Sequence, residues 1–263
     1  MMQYQNSIIT HNGSYVKLEF AEQVGVVTGA AGGLGRTVSR MLAERGATVF
    51  LVDMDREGVE AQAAALRADG HRAISAAVDL GNEDELPELR AAIERHGEGR
   101  LDILVNNAGG WRHGRTSEIT MTDWDWTFRT NVTAPFLASR ALMGLMVQRR
   151  YGRIVNVAST DAHRAKPTLP HYAAAKAAVV SLTKSLAEEL APHQVLVNAV
   201  SPGAIATEIA KGQSWFQERI KSIPLGRAAE PEDIAEIILF LASPRNRFIV
   251  GETVMANGGL LMV

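Results

Sequence analysis

Val24-Gly25-Val26-Val27-Thr28-Gly29-Ala30-Ala31-Gly32-Gly33-Leu34-Gly35 decides how the rest of the chain is read. An apolar run ends at Thr28, a glycine-rich turn follows, and helical spacing of apolar residues starts at Leu34. Glycines in such a turn let backbone N–H groups approach a pyrophosphate, and the helix N-terminus behind them presents partial positive charge to it. The spacing, Gly-x3-Gly-x-Gly, is one residue longer than the common dinucleotide fingerprint. No Gly-Lys-Ser/Thr follows, which separates it from a P-loop. Taken alone, the loop also reads as a turn without a ligand; its place between a strand and a helix weighs against that.

Outward from this loop, short β-rich runs alternate with helical stretches. Strands are predicted over 48–52, 73–78, 101–105, 154–158, 195–200 and 253–256, each a near-continuous apolar run of the kind buried on both faces. Helices are predicted over 34–45, 56–68, 83–95, 122–149, 172–190 and 231–241. This alternation predicts an α/β fold, a Rossmann-like doubly wound parallel sheet with helices on both faces, in one domain over 16–263. Residues 1–15 are expected to form a flexible N-terminal extension or to touch a neighbouring subunit.

Composition narrows the function. The chain has 263 residues, 46% hydrophobic and 21% charged, an ordinary globular balance. A formal net charge of −2 with no long basic block gives no footprint for nucleic acid. The absence of cysteine excludes disulfides, thiolate metal sites and a cysteine nucleophile. No run of 18 apolar residues and no signal-like start occur, so a soluble cytoplasmic protein without a membrane partner is the expectation. His113, His163 and His171 follow no metal-ligand spacing, and no metal is expected.

Asp53 lies 24 residues after Gly29, at the end of the second predicted strand. A carboxylate there accepts both hydroxyls of an adenosine ribose and repels a 2′-phosphate, which points to NAD. Asp79, after the third strand, has two readings: a partner for the adenine edge, or a turn residue. Tyr172 and Lys176 lie one helical turn apart. A tyrosine titrates near 10, too high for a base at neutral pH, and a nearby ammonium is expected to lower that value. Ser159 falls 13 residues earlier, at the end of the fifth strand, where ligands of open parallel sheets bind. Trp124 and Trp126 read as packing residues. Trp215 and Phe216 read equally as a lid contact or as docking on the core.

Taken together, Thr28-Gly29-x3-Gly33-x-Gly35, Asn106-Asn107-Ala108-Gly109, Asn131, Ser159, Tyr172-x3-Lys176 and Pro202-Gly203-x3-Thr207 resemble the short-chain dehydrogenase/reductase family in order and spacing, from about Phe20 onward. The resemblance implies a hydride-transferring enzyme acting between NAD(H) and a small secondary alcohol or ketone. Tyr172 would be the acid/base, Lys176 its electrostatic support and a ribose ligand, and Ser159 the carbonyl-orienting hydroxyl. Asn131 would kink its helix and support a water relay. Gly29, Gly33, Leu34, Gly35, Asp53, Asp79, Leu80, Asn107, Ala108, Gly109, Tyr172, Lys176, Pro202, Gly203, Ile205 and Thr207 would border the cofactor. Leu196 and Asn257 depart from the family pattern where Arg and Asp are frequent. The resemblance also implies a homotetramer built through the helices over 122–149 and 172–190. The rivals are a 3-oxoacyl-thioester (acyl-carrier-protein) reductase, against which Asp53 weighs because such reductases generally prefer NADP, and a non-catalytic cofactor-binding protein.

Overall fold

The computed structural model describes residues 7–9 and 15–262. Of the N-terminal extension, β1 (Ser7–Ile9) is described; it pairs antiparallel with β2 (Tyr15–Lys17), and residues 1–6 and 10–14 lie outside the described residues.

The remaining strands form one parallel sheet: β3 (Val24–Thr28), β4 (Thr48–Asp53), β5 (Ala73–Ala77), β6 (Ile103–Asn106), β7 (Gly152–Val157), β8 (Val195–Pro202) and β9 (Thr253–Ala256), in the spatial order β5-β4-β3-β6-β7-β8-β9. Every residue of β3 and β6 is buried, as the unbroken apolar runs require of strands covered on both faces. Strand order reverses between β3 and β6, which opens a crevice beyond their C-terminal ends.

Helices α1 (Gly33–Glu44), α2 (Arg56–Ala68) and α9 (Pro231–Ala242) cover one face, through a core that includes Val38, Leu42, Val59 and Ile238. Helices α3 (Leu86–His96), α5 (Ala134–Arg149) and α6 (Pro170–Leu190) cover the other, through Leu89, Ile93, Leu142 and Leu186. No described helix is long and apolar enough to cross a membrane.

Three differences from the sequence reading have local causes. The helix predicted over 83–95 begins as a single tight turn, Glu83–Glu85, and becomes α3 at Leu86, because Pro87 is tolerated only in a first helical turn. The long helical region is α4 (Met121–Phe128) and α5, separated by one π-helical turn, Arg129–Thr133, in which the Ala134 N–H reaches back to the Arg129 carbonyl. Between β8 and α9 lie two short helices the periodicity did not reveal, α7 (Glu208–Lys211) and α8 (Phe216–Lys221), too short to register a 3.6-residue pattern.

Candidate active site

A cavity of about 840 Å³ opens at the C-terminal ends of β3, β6, β7 and β8. Its wall includes Gly29, Gly33, Leu34, Asp53, Asn107, Ala108, Gly109, Asn131, Ser159, Tyr172, Lys176, Pro202, Gly203, Ile205 and Thr207, so most of the candidate residues meet at one place.

The glycine loop is held from two sides. Thr28 Oγ1 accepts from the N–H groups of Asn107 and Ala108, both at 2.9 Å, and Asn107 Nδ2 donates to the carbonyls of Thr28 at 2.9 Å and Gly29 at 3.3 Å. The Asn107 amide is thus spent on bracing the turn. Gly35 stands behind the cavity wall: a Cβ there would lie 2.1 Å from the Gly29 carbonyl oxygen, so only glycine allows the helix to pack this closely on the loop. The N-terminus of α1 carries no side-chain cap and no acidic residue in its first turn. This donor set fits the pyrophosphate of a dinucleotide, since uncapped amides and an uncompensated dipole favour an anion.

Asp53 lines the cavity beside this loop. Its Oδ2 accepts from the Ala31 N–H at 3.0 Å and its Oδ1 from the Asp55 N–H at 3.1 Å, which fix the carboxylate while leaving lone pairs on both oxygens. Asp79 and Leu80 are not on the wall. Asp79, read as reaching the adenine edge or as a turn residue, accepts from the Gly81 N–H at 2.9 Å and pairs with Arg129 at 2.8 Å; Leu80 is buried in the core.

At the other end, Tyr172 and Lys176 project from α6 toward Ser159, which follows β7. Ser159 shares the cavity wall with Tyr172, where its hydroxyl favours the phenolate form, and its Oγ accepts from the Asp161 N–H at 3.1 Å. Lys176 Nζ donates to the Val157 carbonyl at 2.8 Å and sits 5.7 Å from the centre of the Tyr172 ring. Asn131, buried within the π turn, clamps Gly110 from both sides: Nδ2 donates to its carbonyl at 2.9 Å, and Oδ1 accepts from its N–H at 3.3 Å. A Cβ on Gly109 would lie 2.9 Å from Asn131 Oδ1 and 3.3 Å from Lys176 Nζ, a measure of how closely these groups are packed. The expected kink is therefore a change of helix register that aims Asn131 inward.

The electrostatics correct one expectation. Lys176 was expected to pull the Tyr172 phenol below the ordinary tyrosine value. Burial instead pushes it up to about 12, against the opposing Ser159 hydrogen bond and with a further push from the Asp161 charge. Lys176 itself is drawn down to about 8 by burial. A phenol closed in by protein loses more hydration on ionising than an ammonium at this distance restores.

The remaining aromatic readings divide. Phe216 is buried in a small separate core, while Trp215 packs edge-on against it and also lines the cavity. Docking on the core holds for Phe216, and Trp215 packs against that core while facing the cavity. Trp124, expected to pack inside, is 40% exposed and stacks on Phe128. The sequence reading missed Asp161 and Lys166, both on the wall, and it noted the segment carrying Arg219 only for its aromatics. Their signal was the charge-rich stretch between Ser159 and Tyr172, and the cations of α8.

The fold and cavity define an oxidoreductase of the nicotinamide-dependent class. A family model described as an enoyl-(acyl carrier protein) reductase matches residues 29–261, and the chain belongs to the short-chain dehydrogenase/reductase family. It is 38% identical over 243 residues to a hydroxy(phenyl)methylsuccinyl-CoA dehydrogenase subunit of Thauera aromatica, covering 90% of this chain and 96% of that one. A 3-oxoacyl-(acyl-carrier-protein) reductase of Vibrio cholerae is 37% identical over 243 residues, at 92% and 98% coverage. Gluconate 5-dehydrogenase of Gluconobacter oxydans is 34% identical over 239 residues, at 89% and 93%. Among solved structures, a short-chain type dehydrogenase/reductase from Mycobacterium marinum superposes with a TM-score of 0.88 at 31% identity, covering 94% of this chain and 98% of that one.

Proposed function

We propose that this protein is an NAD-dependent dehydrogenase/reductase of small secondary alcohols and ketones, with Tyr172 as the acid/base. The observation that carries this reading is a single cavity with the Gly29–Gly35 loop and Asp53 at one end and Ser159, Tyr172 and Lys176 at the other. When bound, a nicotinamide dinucleotide supplies the carbon that gives or takes hydride. The residues manage the proton. In reduction, the Tyr172 hydroxyl donates to the carbonyl oxygen as negative charge develops there, and Ser159 donates a second hydrogen bond to it. The Lys176 ammonium steadies the phenolate left behind. In oxidation the same groups run in reverse, with the phenolate accepting the hydroxyl proton.

The preference for NAD rests on Asp53. Its braced carboxylate can accept from both ribose hydroxyls, and charged acceptors make the stronger bonds. A 2′-phosphate at the same place would meet a fixed like charge. With one substrate, kcat/KM should favour NAD over NADP by at least about tenfold, roughly 1.4 kcal/mol, and Asp53→Ser should lose most of that margin. A wild type preferring NADP would overturn the reading. The names of several relatives favour a second reading, reduction of 3-oxoacyl thioesters, and turnover of such a thioester with NADPH would select it.

The assembly we propose is a homotetramer. Met121, Trp124 and Phe136 are large apolar side chains exposed on α4 and α5, and α6 leaves the small residues Ala174, Ala177, Ser181 and Ser185 exposed. Light scattering at micromolar concentration should give four times the chain mass; a monomer would refute it.

A further inference from the structure

We infer that the site selects substrates carrying an anionic group, a carboxylate or a phosphate ester, received by Lys166 and Arg219. This rests on the function proposed above, since it takes the Ser159–Tyr172 end of the cavity to be where the carbonyl binds.

Asp161, in the turn after Ser159, has a side chain only 10% exposed. Its Oδ1 accepts from Arg164 Nε at 3.0 Å, Arg164 Nη2 at 2.9 Å and Arg219 Nη2 at 3.2 Å, and its Oδ2 lies 3.9 Å from Lys166 Nζ. Three cations therefore share one carboxylate. Arg164, with two contacts, is the cation that compensates it, and Arg164 is not on the cavity wall. Lys166 and Arg219 are on the wall, with side chains 22% and 19% exposed. Burial lowers the pKa of each; the neighbouring cations push the same way and the Asp161 charge opposes them. His113, on the same wall, is held toward neutrality first by burial and then by the Lys166 charge. Glu218 also lines the cavity, but its side chain is 75% exposed and turned to Lys221, so it stays hydrated and does not compensate the buried cations. Positive charge thus exceeds negative in a partly desolvated wall next to the reacting end.

Positive charge in excess of its carboxylate is costly once removed from water, and an oxyanion entering from the cavity would offset that cost through charge-assisted hydrogen bonds. A structural tether between α8 and the turn would need one cation, not three. The two wall cations also fix specificity: a neutral alcohol leaves them sharing Asp161 with Arg164, whereas a hydroxy acid or a phosphorylated polyol brings an anion of its own to them.

The test is binding to the NADH-loaded protein, read from the fluorescence of Trp111 and Trp215 on the wall, with malonate, inorganic phosphate and neutral malonamide. Malonate or phosphate should bind saturably and malonamide should not; whichever anion binds more tightly identifies the group. Lys166→Met and Arg219→Met should each weaken anion binding by about tenfold or more, and Lys166→Arg should restore it. Equal binding of malonate and malonamide, or no anion binding, overturns the inference. In parallel, NAD reduction is measured with 3-hydroxybutyrate and 2-butanol. Oxidation of both at equal kcat/KM leaves the dehydrogenase reading standing and refutes selection of anions. Anion binding without turnover of any alcohol or ketone would instead refute the dehydrogenase reading and leave the anion site.

Discussion

Lys176→Met should make the cofactor-free protein more stable while removing its activity. The amine is 4% exposed, and burial draws its pKa from 10.5 down to about 8. A drop of about 2.5 units corresponds to roughly 3 kcal/mol of stability lost at pH 7, where the folded protein must hold the charged form that burial disfavours. Methionine keeps an unbranched side chain of similar length and removes the charge. The cost is the hydrogen bond to the Val157 carbonyl at 2.8 Å, whose removal loses about 1 kcal/mol. The net gain is about 2 kcal/mol, or an increase in Tm of roughly 4–8 °C for a chain of this size. The gain depends on pH in a defined window. Because the folded pKa is the lower one, the wild type loses stability as pH falls from 10.5 through 8. The advantage of the variant should therefore be full below pH 8 and shrink toward pH 10.5. Differential scanning calorimetry without added nicotinamide, at pH 7 and pH 10, measures both. A variant with an unchanged or lower Tm at pH 7, or a gap that widens with pH, refutes the reasoning.

Tyr172→Phe should lower kcat by on the order of 10²–10⁴-fold while cofactor binding, followed by NADH fluorescence, stays within a few fold; a loss below tenfold would remove Tyr172 from the acid/base role. The pH profiles of kcat/KM should diverge between directions. Carbonyl reduction should fall as pH passes about 8, because Lys176 loses its charge there while the Tyr172 phenol, pushed up to about 12, keeps its proton. Alcohol oxidation, which needs the phenolate and the same ammonium, should rise up to about pH 8 and level off above it. Profiles of the same slope in both directions would contradict the assignment, and Lys176→Arg should move the reduction break upward because a guanidinium stays charged.

Much of the fold was legible because its signals are local. The apolar runs of Val24–Thr28 and Thr48–Asp53, the turn that Gly35 permits, and the one-turn spacing of Tyr172 and Lys176 each reflect a period of the backbone itself. Those signals determined the parallel sheet, the place of the phosphate loop and the residues that gather at the strand ends. What tertiary structure alone decided is which groups face each other and how much water each retains. The Asn131 segment becomes a π turn because its side chain is captured by Gly110, a residue 21 positions away. Asp79 is engaged by Arg129 from across a helix boundary, 50 positions on. Tyr172 titrates upward because protein encloses its phenol, against a local pairing that suggested the opposite. Arg219 reaches Asp161 over 58 positions, so the excess of positive charge at the cavity exists only in the folded chain. Backbone periods are written in neighbouring residues, whereas desolvation and charge pairing depend on segments that meet only when the sheet has formed.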